Sequence, residues 1–169
     1  MPVIPFSDSL RKVLAQSRLT AFALGGDRIT SLHFLVADCQ LHPISSLKGL
    51  LFASDTHFQR FCEELRQGPP LPPAGSLALT TEAEKALKAA QRVCRQYQDN
   101  TMDPCHLLVA ASQNPKSVVS HLLANTNIAS GEVATYYVRK GQLFPKAAPA
   151  AGPLTLIGKL RQLVGLGHP

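Results

Sequence analysis

One stretch of this chain occurs twice. Residues 30–40 read TSLHFLVADCQ and residues 103–113 read DPCHLLVAASQ. Sliding the sequence by 73 positions lays residues 6–40 over 79–113 without a gap, with seven identities in 35 positions. Lys12 meets Lys85, Leu14 meets Leu87, His33 meets His106, and Gln40 meets Gln113. Leu35, Val36 and Ala37 meet Leu108, Val109 and Ala110. Apolar character matches more widely, as in Phe6 with Leu79 and Ile29 with Met102. Beyond residue 43 one residue must be skipped, after which Leu50 and Leu51 meet Leu122 and Leu123. Self-similarity at a fixed offset implies a duplicated structural unit. Two copies are too few for a solenoid and predict a closed, pseudo-symmetric domain.

Each unit reads as helical. Phe6, Leu10, Val13, Leu14, Ser17, Ala21 and Leu24 fall at steps of three and four, as do Leu79, Ala83, Ala86, Leu87, Ala90, Cys94 and Tyr97. That grid is one apolar stripe on a long helix. Ser7 is placed to cap the first, and Thr81 with Glu84 fits a capping box for the second. The duplicated stretch forms the next helix. Asp103 suits its N-cap and Pro104 its first position, with Thr30 or Ser31 as the counterpart cap. LHFLVA and CHLLVAA are apolar almost all round, as expected for a helix buried at the centre of its unit. Two shorter helices are expected to follow in each unit, near 45–53 and 56–66, then 116–125 and 130–140. No stretch alternates with period two for long enough to be a strand.

The expected organisation is one domain over residues 1–145, with repeat one at 4–66 and repeat two at 79–141. Between them, residues 67–78 contain RQGPPLPPAGS less its first residue, whose prolines and glycines exclude a helix and favour an extended connector. A Pro/Ala linker and a short basic amphipathic tail are expected at 146–169, and the fold is expected not to need them.

Of the 169 residues, 45 % are hydrophobic and 17 % charged, an ordinary globular composition. No run approaches the ~18 apolar residues of a membrane span. The opening MPVIPFSDSLRK lacks the features of a secretory signal, so a cytoplasmic location is expected. Cys39, Cys62, Cys94 and Cys105 show no C-x-x-C spacing and read as small buried hydrophobes. The net charge is +6. Residues 1–66 hold seven cations against six acids, residues 79–145 seven against five, and residues 146–169 three against none. A basic nucleic-acid-binding protein is therefore the alternative reading, weakened by a nearly balanced body.

The paired units, each with a Phe/Leu-Ser/Thr start followed some 25 residues later by a small polar cap, a His and an aliphatic run, resemble the Clp N-terminal (Clp repeat) domain family. The resemblance covers residues 4–141. It implies an all-α fold of two tandem four-helix repeats, packed as a pseudo-two-fold eight-helix bundle. It also implies a domain without catalysis of its own that binds substrate polypeptides or adaptors. The expected partners are protein: a Clp-type AAA+ unfoldase, an adaptor or a client chain. No G-x-x-x-x-G-K-[ST] occurs, so a stand-alone double repeat without the ATPase modules is expected. No cofactor and no metal are expected.

Some members of that family bind phosphorylated arginine through the Thr at the first helix start and the Glu before the His. The hydroxyl positions here are Ser7 and Thr80, while Leu32 and Cys105 stand at the Glu positions. A guanidinium needs a carboxylate for bidentate binding, so a more apolar peptide or adaptor surface is expected at Ser7, Leu32, Thr80 and Cys105. Tyr136 and Tyr137 complete the candidate protein-binding set. With Phe58, Phe61 and Phe144 they read either as filling between the units or as an aromatic docking patch. His33 and His106 read as rings bonded to backbone near a helix start. Cys105 and His106 are adjacent on a helix and point about 100° apart, which does not make a nucleophile–base pair. No H-E-x-x-H, G-x-S-x-G or G-x-G-x-x-G is present.

Overall fold

A computed structural model describes residues 3–145 of the chain. The first repeat comprises α1 (Asp8–Ala23), the two-residue strand β1 (Arg28–Ile29), α2 (Ser31–Leu41), α3 (Lys48–Leu51) and α4 (Asp55–Glu64). The second comprises β2 (Ala78–Leu79), α5 (Thr81–Tyr97), α6 (Pro104–Gln113), α7 (Val118–Asn125) and α8 (Ser130–Arg139). The fold is all-α, as expected, with the two duplicated stretches at its centre. α2 packs against α1, α5, α6 and α7, and α6 against α1, α2, α5, α7 and α8. Phe34, Leu35, Val36 and Ala37 on α2 are buried, as are Leu107, Leu108, Val109, Ala110 and Ala111 on α6. Helices apolar on every side are stable only where neighbours cover every side.

The two-fold relation is visible in the backbone. Phe6, ahead of α1, bridges in parallel to Met102, ahead of α6. Ile29, ahead of α2, pairs in parallel with Leu79, ahead of α5. Shifting each partner by 73 in opposite directions converts one pair into the other. Their hydrogen bonds correspond too, Ser7 N–H to Met102 O at 3.1 Å and Thr80 N–H to Ile29 O at 2.9 Å. These pairings differ from the expectation of no strand. Two residues are too few to show an alternation, and each strand exists only because the other repeat supplies its partner.

Helix starts follow side-chain chemistry. Ser7 Oγ accepts the Leu10 N–H at 3.1 Å. Thr80, rather than Thr81, caps α5, its Oγ1 accepting the Ala83 N–H at 3.4 Å. In both central helices a His completes the start. The Thr30 N–H donates to His33 Nδ1 and the Asp103 N–H to His106 Nδ1, each at 2.9 Å. α3 is much shorter than expected, because residues 43–47 turn before it and Phe52 is extended ahead of the Ser54 cap of α4. Phe58 and Phe61 pack on Phe52, with centroids 5.2 and 5.0 Å away, inside the first repeat rather than between the repeats.

No helix runs between Leu65 and Ser76, and the connector is tied back onto the end of α1. Gln67 N–H donates to Leu24 O at 2.8 Å and Leu71 N–H to Phe22 O at 2.9 Å. Gly25 makes the approach possible. Its φ is +74°, and a Cβ there would lie 2.9 Å from Gly68 backbone atoms. Gly25→Ala is expected to cost about 2 kcal/mol or more, from the left-handed backbone and the clash together. Urea unfolding checks this, and Gly131→Ala, which has open space, serves as the control.

Candidate functional site

α2 carries one acid, Asp38, directly after its apolar run Phe34–Ala37, and that side chain is only 3 % exposed. One turn later the helix ends at His42, and the i,i+4 spacing brings the ring over the carboxylate. His42 Nδ1 lies 2.8 Å from Asp38 Oδ1. On the far side of the ring, Ser9 Oγ, in the first turn of α1, lies 3.0 Å from Nε2. An ionised carboxylate only accepts, so Nδ1 carries the proton and Nε2 accepts the Ser9 hydroxyl.

Burial pushes the Asp38 carboxyl up to about 6, against the opposing pull of the His42 hydrogen bond and charge. The folded state thus holds this proton more tightly than the unfolded state. The contribution to stability is full below pH 3.8 and is lost as pH rises through about 6. At neutral pH the ionised group costs about 3 kcal/mol, given 1.36 kcal/mol per pH unit. Asp38→Asn keeps an acceptor for His42 and removes the charge. It is expected to stabilise the domain by about 1–3 kcal/mol at pH 7.5, the gain shrinking toward pH 5, as thermal melts at the two pH values will read.

These three residues line a pocket of about 250 Å³ between the repeats. Ser45 completes its first-repeat wall, and Asp103, Pro104, Cys105 and Gln142 form the other. Gln142 Nε2 donates to Ser45 O at 3.0 Å and fastens the two walls. Burial pushes the Cys105 thiol well up, which keeps it protonated. Its Sγ is 3.9 Å from His106 Nδ1, but that nitrogen already accepts the Asp103 N–H.

Of the residues singled out from the sequence, Cys105 lies at this pocket and the others lie elsewhere. The Ser7 and Thr80 hydroxyls are engaged as helix caps, Thr80 also donating to Glu82 Oε1 at 3.0 Å. Leu32 is half-buried against the core. Tyr136 donates to Ser46 O across the seam at 3.0 Å. Tyr137 is 1 % exposed, inside the core, with no hydrogen-bond partner for its hydroxyl among the described residues. Phe144 is 67 % exposed. Among the described residues no group of three or more His, Cys, Asp and Glu is gathered as for a metal. Sequence reasoning missed Ser9, Asp38 and His42. The D-x-x-x-H spacing at the end of an apolar helix was the available signal, whereas Ser9 is 33 positions away from His42.

A second, larger groove of about 660 Å³ follows α5, with Lys85, Lys88 and Arg92 around Ala89 and Val93. Repeat one has Lys12, Ala15 and Leu19 at the positions of those three cations.

Two like helical units closed about a pseudo-two-fold axis, with a pocket at their seam, define a double-repeat helical domain of the interaction class. The chain belongs to the Clp repeat (R) N-terminal domain family, whose sequence profile matches residues 5–126. Similar solved structures include the Hsp104 N-terminal domain from Candida albicans, at 18 % identity and a TM-score of 0.64, covering 82 % of this chain and 93 % of that one. The N-terminal domain of the caseinolytic protease associated chaperone ClpD from Arabidopsis thaliana matches at 14 % identity and 0.63, covering 83 % and 96 %. A structure from work on a malarial protein secretion system matches at 18 % and 0.64, covering 80 % and 93 %. At these identities the likeness is one of fold. No curated protein matches the sequence significantly. The family comprises protein-interaction modules of Clp and Hsp104 chaperone systems. Among the described residues no helix is long and apolar enough to cross a membrane. The 146–169 tail lies outside the described residues.

Proposed function

We propose that residues 1–145 form a protein-interaction domain that receives a polypeptide at the seam between its repeats. The partner is a client, adaptor or unfoldase component of a Clp-type AAA+ system, in the cytoplasm. The 250 Å³ pocket built from both repeats carries this reading, together with membership of the family. A concave, partly apolar site with a few convergent polar groups suits a side chain of a bound segment. The role asks for no chemistry from the domain itself, in line with its family.

The test uses the full chain and a fluorescein-labelled unfolded casein, followed by anisotropy. Saturable binding that weakens at least tenfold when Ser45→Trp fills the pocket supports the proposal. Binding that ignores this substitution, or no binding to casein or to a purified Clp unfoldase, overturns it. The basic groove on α5 keeps one competing reading in play. Tight binding of single-stranded DNA, falling steeply between 50 and 200 mM salt as about three phosphate contacts would require, favours nucleic acid instead.

A further inference from the structure

The Ser9–His42–Asp38 relay has an internal control, because the fold contains the same helix pair twice. α5 and α6 are the copies of α1 and α2. At the equivalent positions they carry Glu82, Ala111 and Pro115. The α1–α2 packing therefore needs no buried acid and no relay, since its copy closes without one. Burying a carboxylate opposes folding. A chain that retains an unfavourable group in one copy and does without it in the other points to use rather than architecture.

We propose that Ser9, His42 and Asp38 form a nucleophilic acyl-transfer site, with Ser9 Oγ attacking the carbonyl carbon of a small ester seated in the seam pocket. The parts stand in the required order. Asp38 holds the Nδ1–H tautomer at 2.8 Å, and His42 Nε2 faces the Ser9 hydroxyl at 3.0 Å. Such a site is recognised by geometry and roles rather than by sequence order. Ser9 and Cys105 occupy the second helical positions of α1 and α6. Backbone N–H groups there have no intrahelical acceptor, and both residues line the pocket. A volume near 250 Å³ admits a short acyl chain beside Pro104 and Cys105.

As the Ser9 Oγ–carbon bond forms, the hydroxyl proton moves to His42 Nε2 and the carbonyl electron pair moves onto oxygen. Collapse of the tetrahedral species breaks the bond to the leaving alcohol, which takes the proton from Nε2. Water then enters by the same route, releasing the carboxylic acid and restoring Ser9. Nothing is oxidised or reduced. This proposal stands apart from polypeptide binding at the same seam and has its own readout.

Two measurements on the full chain decide it. A fluorophosphonate probe, followed by peptide mass mapping, is expected to place one equivalent on Ser9, with labelling lost in His42→Ala. Hydrolysis of 4-nitrophenyl acetate is expected to fall about 100-fold in Ser9→Ala, less than the about 10⁴-fold lost when the triad of a dedicated hydrolase is disrupted. Asp38→Asn is expected to slow labelling at least tenfold while its thermal midpoint does not fall, which separates loss of reactivity from loss of fold. Absence of an adduct on Ser9 in the wild-type chain overturns the proposal without relying on any variant. Equal nitrophenolate release by wild type and Ser9→Ala also overturns it, and the relay is then a structural link between α1 and α2.

Discussion

Phe34→Ala is expected to lower the free energy of unfolding by about 3–5 kcal/mol, the usual cost of removing a fully buried aromatic ring. Phe34 is 1 % exposed on α2, which is flanked by α1, α5, α6 and α7. A space opened there has helices on every side, each held by its own contacts, so the site relaxes little and most of the lost packing is not recovered. Small domains have only ~5–15 kcal/mol in total. The variant is therefore expected to lose a large fraction of its stability, and its urea midpoint to drop with an unchanged slope. Phe144→Ala, at a position 67 % exposed, is expected to stay within about 0.5 kcal/mol of the parent. Equal losses in the two variants would mean that α2 does not run through the core.

His106→Ala is expected to cost about 2–4 kcal/mol. The ring is 1 % exposed and has partners on both nitrogens. Nδ1 accepts the Asp103 N–H at 2.9 Å, and Nε2 donates to Asp99 Oδ2 at 2.8 Å. Truncation leaves a helix-start N–H without its acceptor and opens a void where α6 enters the core. His33, its copy, accepts the Thr30 N–H in the same way. Burial lowers the His33 pKa below 6.5, the Glu82 charge opposing. The neutral ring therefore contributes stability that is present above pH 6.5 and lost as pH falls below it. Unfolding midpoints from pH 8 to pH 5 should show a shallower decline in His33→Ala than in the parent.

The repeat explains why so much of the architecture could be read in advance. A 73-residue offset, two amphipathic helix patterns and two aliphatic runs behind a cap and a His are local signals, and the helices they imply are present. The caps at Ser7 and Asp103 and the bonding of both His rings to backbone followed from the same local chemistry. The inter-repeat strands did not, because Arg28–Ile29 and Ala78–Leu79 have no pattern of their own and pair only across the domain. The aromatic residues divided for a similar reason. Phe58 and Phe61 found Phe52 nearby in their own repeat, and Tyr137 went inside.

The candidate site shows the same division. Asp38 and His42 are a visible i,i+4 pair, but nothing in the linear order says that Ser9 meets the far side of the ring. The sequence by itself determined the helical class, the duplication and the helix starts, since these depend on periodicity and on side chains bonding to backbone within four residues. Only the tertiary structure decided which copy holds a relay and where the seam leaves a pocket. Those outcomes depend on where two helices from distant parts of the chain cross, and divergence between copies is free to alter such a crossing while the helical pattern stays intact.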